Sequence, residues 1–163
     1  MGLRIAAVAA MSLVVWTVSA SRVTNDEKLT LAGIVPGAVI SQPFGCSTLD
    51  LEPYAPYCPS RHVHTGIDLA APAGTAVRAA TTGTVHVGFD PSGCGLYVIE
   101  GSGAHLRILY CHLSAAVVAD GSAVAAGVVI GQVGATGMST GPHLHFEVQM
   151  DRHPIDPVAW LSS

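Results

Sequence analysis

Charge is scarce in this sequence. Lys, Arg, Asp and Glu make up 11% of its 163 residues, and the seven Lys and Arg are scattered singly. With a net charge of −4 and no basic run, the chain has nothing to set against phosphates, which excludes a nucleic-acid surface. Aromatics are few at 6%, yet half the chain is hydrophobic, so the disordered and coiled-coil classes are excluded by composition. Only one long apolar run exists, Ile5 to Ala20, interrupted by Ser12, Thr17 and Ser19. It falls short of the roughly 20 residues that a bilayer span needs. The four cysteines show no CxxC spacing, which argues against a zinc knuckle. No HExxH signature is present to supply a Glu base beside paired histidines.

What is plentiful is glycine, proline and histidine. Gly and Pro, 18 and 10 residues, punctuate the middle of the chain into short strand-like pieces with turns every 8–12 residues, the pattern of an all-β barrel or sandwich. The length suits a single domain with a true core. Eight His against seven Lys and Arg is an unusual allocation that points to metal or proton chemistry.

At the amino terminus, Arg4 precedes the apolar run, and Val18-Ser19-Ala20 has the small-residue pattern of a leader-peptidase site. The expectation is a secretory signal over residues 1–20, with an uncleaved membrane anchor as the alternative. No Cys lies at the cleavage point, so a lipoprotein is not expected. Residues 21–40 carry a small charge cluster and read as a linker, leaving residues 41–163 as the domain.

In an exported chain four Cys imply disulfides, and four allow three connectivities. Cys46 and Cys58 bracket a Pro-containing loop without regular structure. Cys94 and Cys111 flank a hairpin of Leu96–Glu100 and Leu106–Tyr110. A turn centred on Ser102 and Gly103 would set Cys94 directly opposite Cys111, close enough for a bridge. The expected pairs are therefore Cys46–Cys58 and Cys94–Cys111.

The chemistry gathers around Gly141-Pro142-His143-Leu144-His145-Phe146-Glu147-Val148. Read as a strand, it presents His143 and His145 on one face and Leu144, Phe146 and Val148 on the other. Upstream, His64-Thr65-Gly66-Ile67-Asp68 places an imidazole and a carboxylate at even spacing, so an extended chain shows both on one face. Together with one of the two later imidazoles they make a His/Asp/His set, whose three ligands leave an open position, the layout of a catalytic rather than structural zinc. Tyr110-Cys111-His112-Leu113 adds a further imidazole at the end of the hairpin strand.

Three stretches in order, HTGIDLAAPAGTAV (64–77), YCHL (110–113) and IGQVGATGMSTGPHLHFEV (130–148), closely resemble the lysostaphin/LytM-type zinc metallopeptidases. The resemblance covers roughly residues 40–160. It implies a compact antiparallel β-sheet of barrel-sandwich type with an active-site groove on the sheet. By it, His64, Asp68 and His145 would hold one Zn2+, and His112 and His143 would be catalytic histidines that are not ligands. It implies a secreted or cell-envelope hydrolase, acting as a monomer on peptidoglycan peptide stems or cross-bridges. Contact with a membrane would come only through an uncleaved N-terminal segment. The segment Ile155–Leu161 resembles the family's closing piece, with Trp160 packed on the barrel.

Some features depart from the family's pattern. Cys111 stands where Ala or Thr is expected, and no wall-targeting module is evident. His62 lies two residues before His64, but the HxGxD register favours His64. His86, His105 and His153 lie outside the motifs. No spare carboxylate is apparent, so imidazole would carry the proton work. Two other classes compete: a catalytically silent envelope module that binds wall peptide or activates a partner amidase, and a sugar-phosphotransferase carrier with paired active-site His. Intact ligand motifs weigh against the first, and the leader-like start and cysteines against the second.

Overall fold

The computed structural model describes residues 28–163; the expected signal or anchor and residues 21–27 lie outside them. In chain order the elements are α1 (Leu31–Ile34), β1 (Val39–Gln42), β2 (Gly45–Ser47), β3 (His62–His64), β4 (Ile67–Ala70), β5 (Ala76–Arg78) and β6 (Gly83–Asp90). Then follow β7 (Gly95–Ser102), β8 (Leu106–Leu113), β9 (Ala115–Ala116), β10 (Ala123–Val124), β11 (Val129–Gln132), β12 (His143–Met150), β13 (His153–Ile155) and α2 (Pro157–Leu161). The main sheet runs β1-β4-β12-β8-β7-β6-β10, with β13 also on β12. A three-stranded sheet, β5-β11-β9, and a β2-β3 ribbon complete the fold. Every pairing is antiparallel, as the sequence pattern and the resemblance led one to expect.

Strand β12 is central because its alternation is strict where it matters. Leu144, Phe146 and Val148 are buried in the core with Ile67 and Leu69 of β4 and Ile108 and Tyr110 of β8. The opposite face is left for polar groups. Inside the core, the Glu100 carboxylate accepts bonds from the Ala80 and Thr81 amides and from the hydroxyls of Thr81 and Tyr110, which ties the turn before β6 to the sheet. Among the described residues no helix is long and apolar enough to cross a membrane.

Two expectations need correction. The linker assigned to residues 21–40 is part of the domain from Lys28 onward. Ile34 and Val35 are fully buried, β1 pairs with β4, and the Lys28 ammonium donates to the Trp160 carbonyl at 2.8 Å and lies over its ring. Leu29, Leu31 and Ala38 pack against the core beside Ile34 and Val35, while Val39 and Ile40 stay exposed. The hairpin register also differs: Ser102 faces Leu106, and Gly103-Ala104-His105 form the turn, with Gly103 at φ +65°. The expected facing of Cys94 and Cys111 does not follow from that register. The bridge is nevertheless present, because a bulge in β8 and a reversal at Gly95 bring the two together.

Candidate active site

The polar face of β12 carries His143, His145 and Glu147 in succession, as a period of two requires. Asp68 on β4 faces His145 across the ladder. His64 ends β3, and the chain bends at Thr65-Gly66 before β4, so His64 and Asp68 meet across this bend and not along one strand. The bend is close to the sheet: a Cβ at Gly66 would lie 2.6 Å from the Phe146 carbonyl oxygen. His112 reaches the same face from β8. All these side chains line an open groove of about 220 Å³. Its far wall is the loop between β2 and β3, closed by the Cys46–Cys58 bridge with a Cα separation of 5.4 Å.

His64 Nε2 and His145 Nδ1 stand 3.0 Å apart, and the Asp68 carboxylate oxygen lies 3.2 and 3.1 Å from them. The second nitrogen of each ring is engaged elsewhere. His64 donates its Nδ1–H to the Pro43 carbonyl at 2.9 Å, and His145 Nε2 faces the Glu147 carboxylate at 3.5 Å. An oxygen that can only accept fixes the proton on the ring nitrogen beside it. Asp68 likewise draws a proton to His145 Nδ1; once that proton is displaced, two nitrogen lone pairs and a carboxylate oxygen converge on one point. This donor set fits a divalent cation, and two imidazoles with one carboxylate suit zinc.

Burial works against the Asp68 anion, but hydrogen bonds from His145 and His64 outweigh it and hold the carboxyl well below the usual range. Burial likewise pulls the His145 imidazole down, and Asp68 and Glu147 outweigh that and hold it at about 9 in the metal-free protein. Glu147 is kept ionised against its burial by His145, Thr65 and Gln149; the last two donate to it at 2.6 Å each.

The other two imidazoles are oriented in the same manner. His112 donates Nδ1–H to the Thr136 carbonyl and His143 to the Gly141 carbonyl, both at 2.8 Å, which leaves each Nε2 as the free nitrogen. The ring centres are 4.7 Å apart, and His143 Nε2 is 3.6 Å from Asp68. Burial lowers the His112 pKa, so this ring stays neutral and able to take a proton.

The structure thus brings His64, Asp68, His112, His143 and His145 into one groove. His62 turns away and donates to the Glu52 carbonyl. His86 and His105 pair with Asp120 and Asp151 at the surface, and His153 is exposed. The statement that no spare carboxylate attends the site is corrected by Glu147. Its signal was in plain view, since 143, 145 and 147 share one strand face. Thr136 had no such signal, because its role comes from the folding of a loop over β8.

A sequence model of peptidase family M23 matches residues 62–157. The DD-carboxypeptidase/endopeptidase Mpg of Neisseria meningitidis is 42% identical over 120 residues, 74% of this chain and 26% of Mpg. The peptidoglycan DD-endopeptidase ShyA of Vibrio cholerae is 38% identical over 93 residues, 57% of this chain and 22% of ShyA. The chain thus spans about a quarter of the length of these curated relatives. The catalytic domain of lysostaphin from Staphylococcus simulans superposes with a TM-score of 0.64 at 30% identity, covering 77% of this chain and 93% of that one.

Proposed function

Because this chain belongs to peptidase family M23, we propose that it is a zinc metalloendopeptidase that hydrolyses peptide cross-links of bacterial peptidoglycan outside the cytoplasm. The observation that carries the reading is the convergence of three ligand atoms, His64 Nε2, Asp68 Oδ1 and His145 Nδ1, beside two further imidazoles with free nitrogens. A zinc ion held by the first three supplies Lewis-acid chemistry, making water easier to deprotonate near neutral pH and polarising a carbonyl. The chain's own groups do the rest. His112, neutral and fixed by Thr136, accepts a proton during attack and returns it to the leaving amine. His143, held by Gly141 with its Nε2 3.6 Å from Asp68, hydrogen-bonds the oxygen on which charge develops. Which of the two takes each role is settled by the pH profiles of their variants.

The groove also favours a cut inside a chain over the trimming of a terminus. Among the described residues that line it there is no Lys or Arg to hold a free carboxylate. Two disulfides fit an oxidising, extracytoplasmic location. The test is mass spectrometry of defined cross-linked muropeptides and of free stem peptides, incubated with the full chain with and without a chelator. Chelator-sensitive appearance of a new amine terminus from the cross-linked forms, with free stems intact, is expected. A folded, zinc-loaded protein that cleaves none of several cross-link types would instead be a binding or amidase-activating module.

A further inference from the structure

Strand β8 breaks its own alternation at the groove. Tyr110 and Leu113 both point into the core, and the two residues between them, Cys111 and His112, together oppose Tyr97. Regular pleating would turn His112 to the core face. The bulge sends it to the groove instead, at φ +64°, a conformation that non-glycine residues hold only with support.

The supports come from two sides. Cys94 is bonded to Cys111, and its carbonyl accepts the His112 backbone N–H at 2.7 Å. Gly95 follows at φ +62°, turning the chain back; a Cβ there would fall 2.3 Å from the Thr136 carbonyl carbon. On the other side the Thr136 hydroxyl accepts from the Leu96 N–H at 2.9 Å and donates to the Leu113 carbonyl at 2.8 Å. Leu96 and Leu113 are the facing pair at the edge of the bulge. The carbonyl of the same Thr136 then accepts the His112 ring N–H.

We infer that the Cys94–Cys111 bridge and Thr136 are positioning groups for His112, holding the bulge that sets this imidazole on the groove face with Nε2 free. The inference rests on the reading of His112 as a proton-transfer group. The three metal-holding side chains stand on β3, β4 and β12; Cys111 faces His145 in the β8–β12 backbone ladder, but no side-chain contact of His64, Asp68 or His145 runs to the bridge or to Thr136, so turnover depends on the bridge and on Thr136 while metal binding does not. The bridge joins the bulge covalently to the loop that lines the groove.

The experiment compares the full-length wild type with C94A/C111A, T136V and T136S. It measures kcat and KM on a cross-linked muropeptide, zinc content, and the His112 ring tautomer by nitrogen–proton NMR. The expected result for C94A/C111A and T136V is a fall in kcat of about 10²-fold, the scale of a misplaced catalytic group, with KM and zinc content unchanged. In both, the His112 ring no longer holds a single Nδ1–H tautomer, and T136S restores wild-type values. Folded, zinc-loaded C94A/C111A and T136V with wild-type kcat and an unchanged tautomer would overturn the inference. If C94A/C111A does not fold, T136V against T136S decides it. A wild type that cleaves no cross-link would refute the assigned activity, and the tautomer would still report on positioning.

Discussion

His64 Nε2 and His145 Nδ1 face each other at 3.0 Å with their other nitrogens engaged by Pro43 and Glu147. Two lone pairs at that distance repel unless a cation or a proton lies between them. Zinc is therefore expected to stabilise the fold, by about 4 kcal/mol when present at a thousand times its dissociation constant. Thermal unfolding with zinc and with chelator measures this. His64→Ala and Asp68→Ala should abolish the difference, and a zinc-dependent Tm surviving in both variants would place the ion elsewhere.

At the proposed zinc site, proton and metal would compete for His145. In the metal-free protein its pKa is about 9, above the ordinary 6.5, with burial opposing and Asp68 and Glu147 prevailing. The raised value means that protonation stabilises the metal-free fold fully below pH 6.5, and that this contribution is lost as pH rises through about 9. Zinc affinity should correspondingly weaken as pH falls below 9, with about one proton released per ion bound at pH 7. Calorimetry in two buffers of different ionisation enthalpy counts the proton, and a count of zero would contradict the arrangement.

Glu147→Gln removes the charge facing the outer nitrogen of His145 and leaves the three ligands in place. Losing such a partner costs about 10–100-fold in metal affinity. Competition against a fluorescent zinc chelator gives the number, and wild-type affinity would show that Thr65 and Gln149 alone use this carboxylate.

His112→Ala should keep its zinc and lose about 10²–10⁴-fold in kcat, the usual contribution of a proton-transfer group. The wild-type rate should fall on the acid side through a pKa below 6.5, because burial lowers that of His112. Loss of zinc from the variant would move His112 into the ligand set.

Ile34 is wholly buried although it lies in a stretch that reads as linker. Ile34→Ala should cost about 2–5 kcal/mol, the range for large-to-small core substitutions. Removal of residues 21–40 should unfold the domain and not raise activity. Urea titrations check both, and a fully stable shortened chain would show that α1 merely rests on the surface.

Much of the site could be read from one-dimensional rules. Strand alternation puts His143 and His145 on one face, and the same rule puts Glu147 beside them. The even spacing of His64 and Asp68 pointed to a shared site, though the route was a bend at Thr65-Gly66 and not a single strand. The Cys94–Cys111 pairing was expected from a hairpin register that the protein does not adopt.

What the sequence by itself determined are the things that local periodicity and covalent geometry control: an antiparallel β architecture, the apolar face of β12, and the chemistry of the groups opposite it. Only the tertiary structure decided the rest. The burial of Ile34 and Val35 depends on surfaces supplied by distant strands, and hydrophobicity alone cannot say which apolar residues find them. The bulge at Cys111 and His112 depends on Thr136, 24 residues beyond His112, whose hydroxyl and carbonyl satisfy the groups that the bulge leaves open. A strained backbone of that kind persists because long-range contacts over-determine it, and long-range contacts have no signature in the neighbouring sequence.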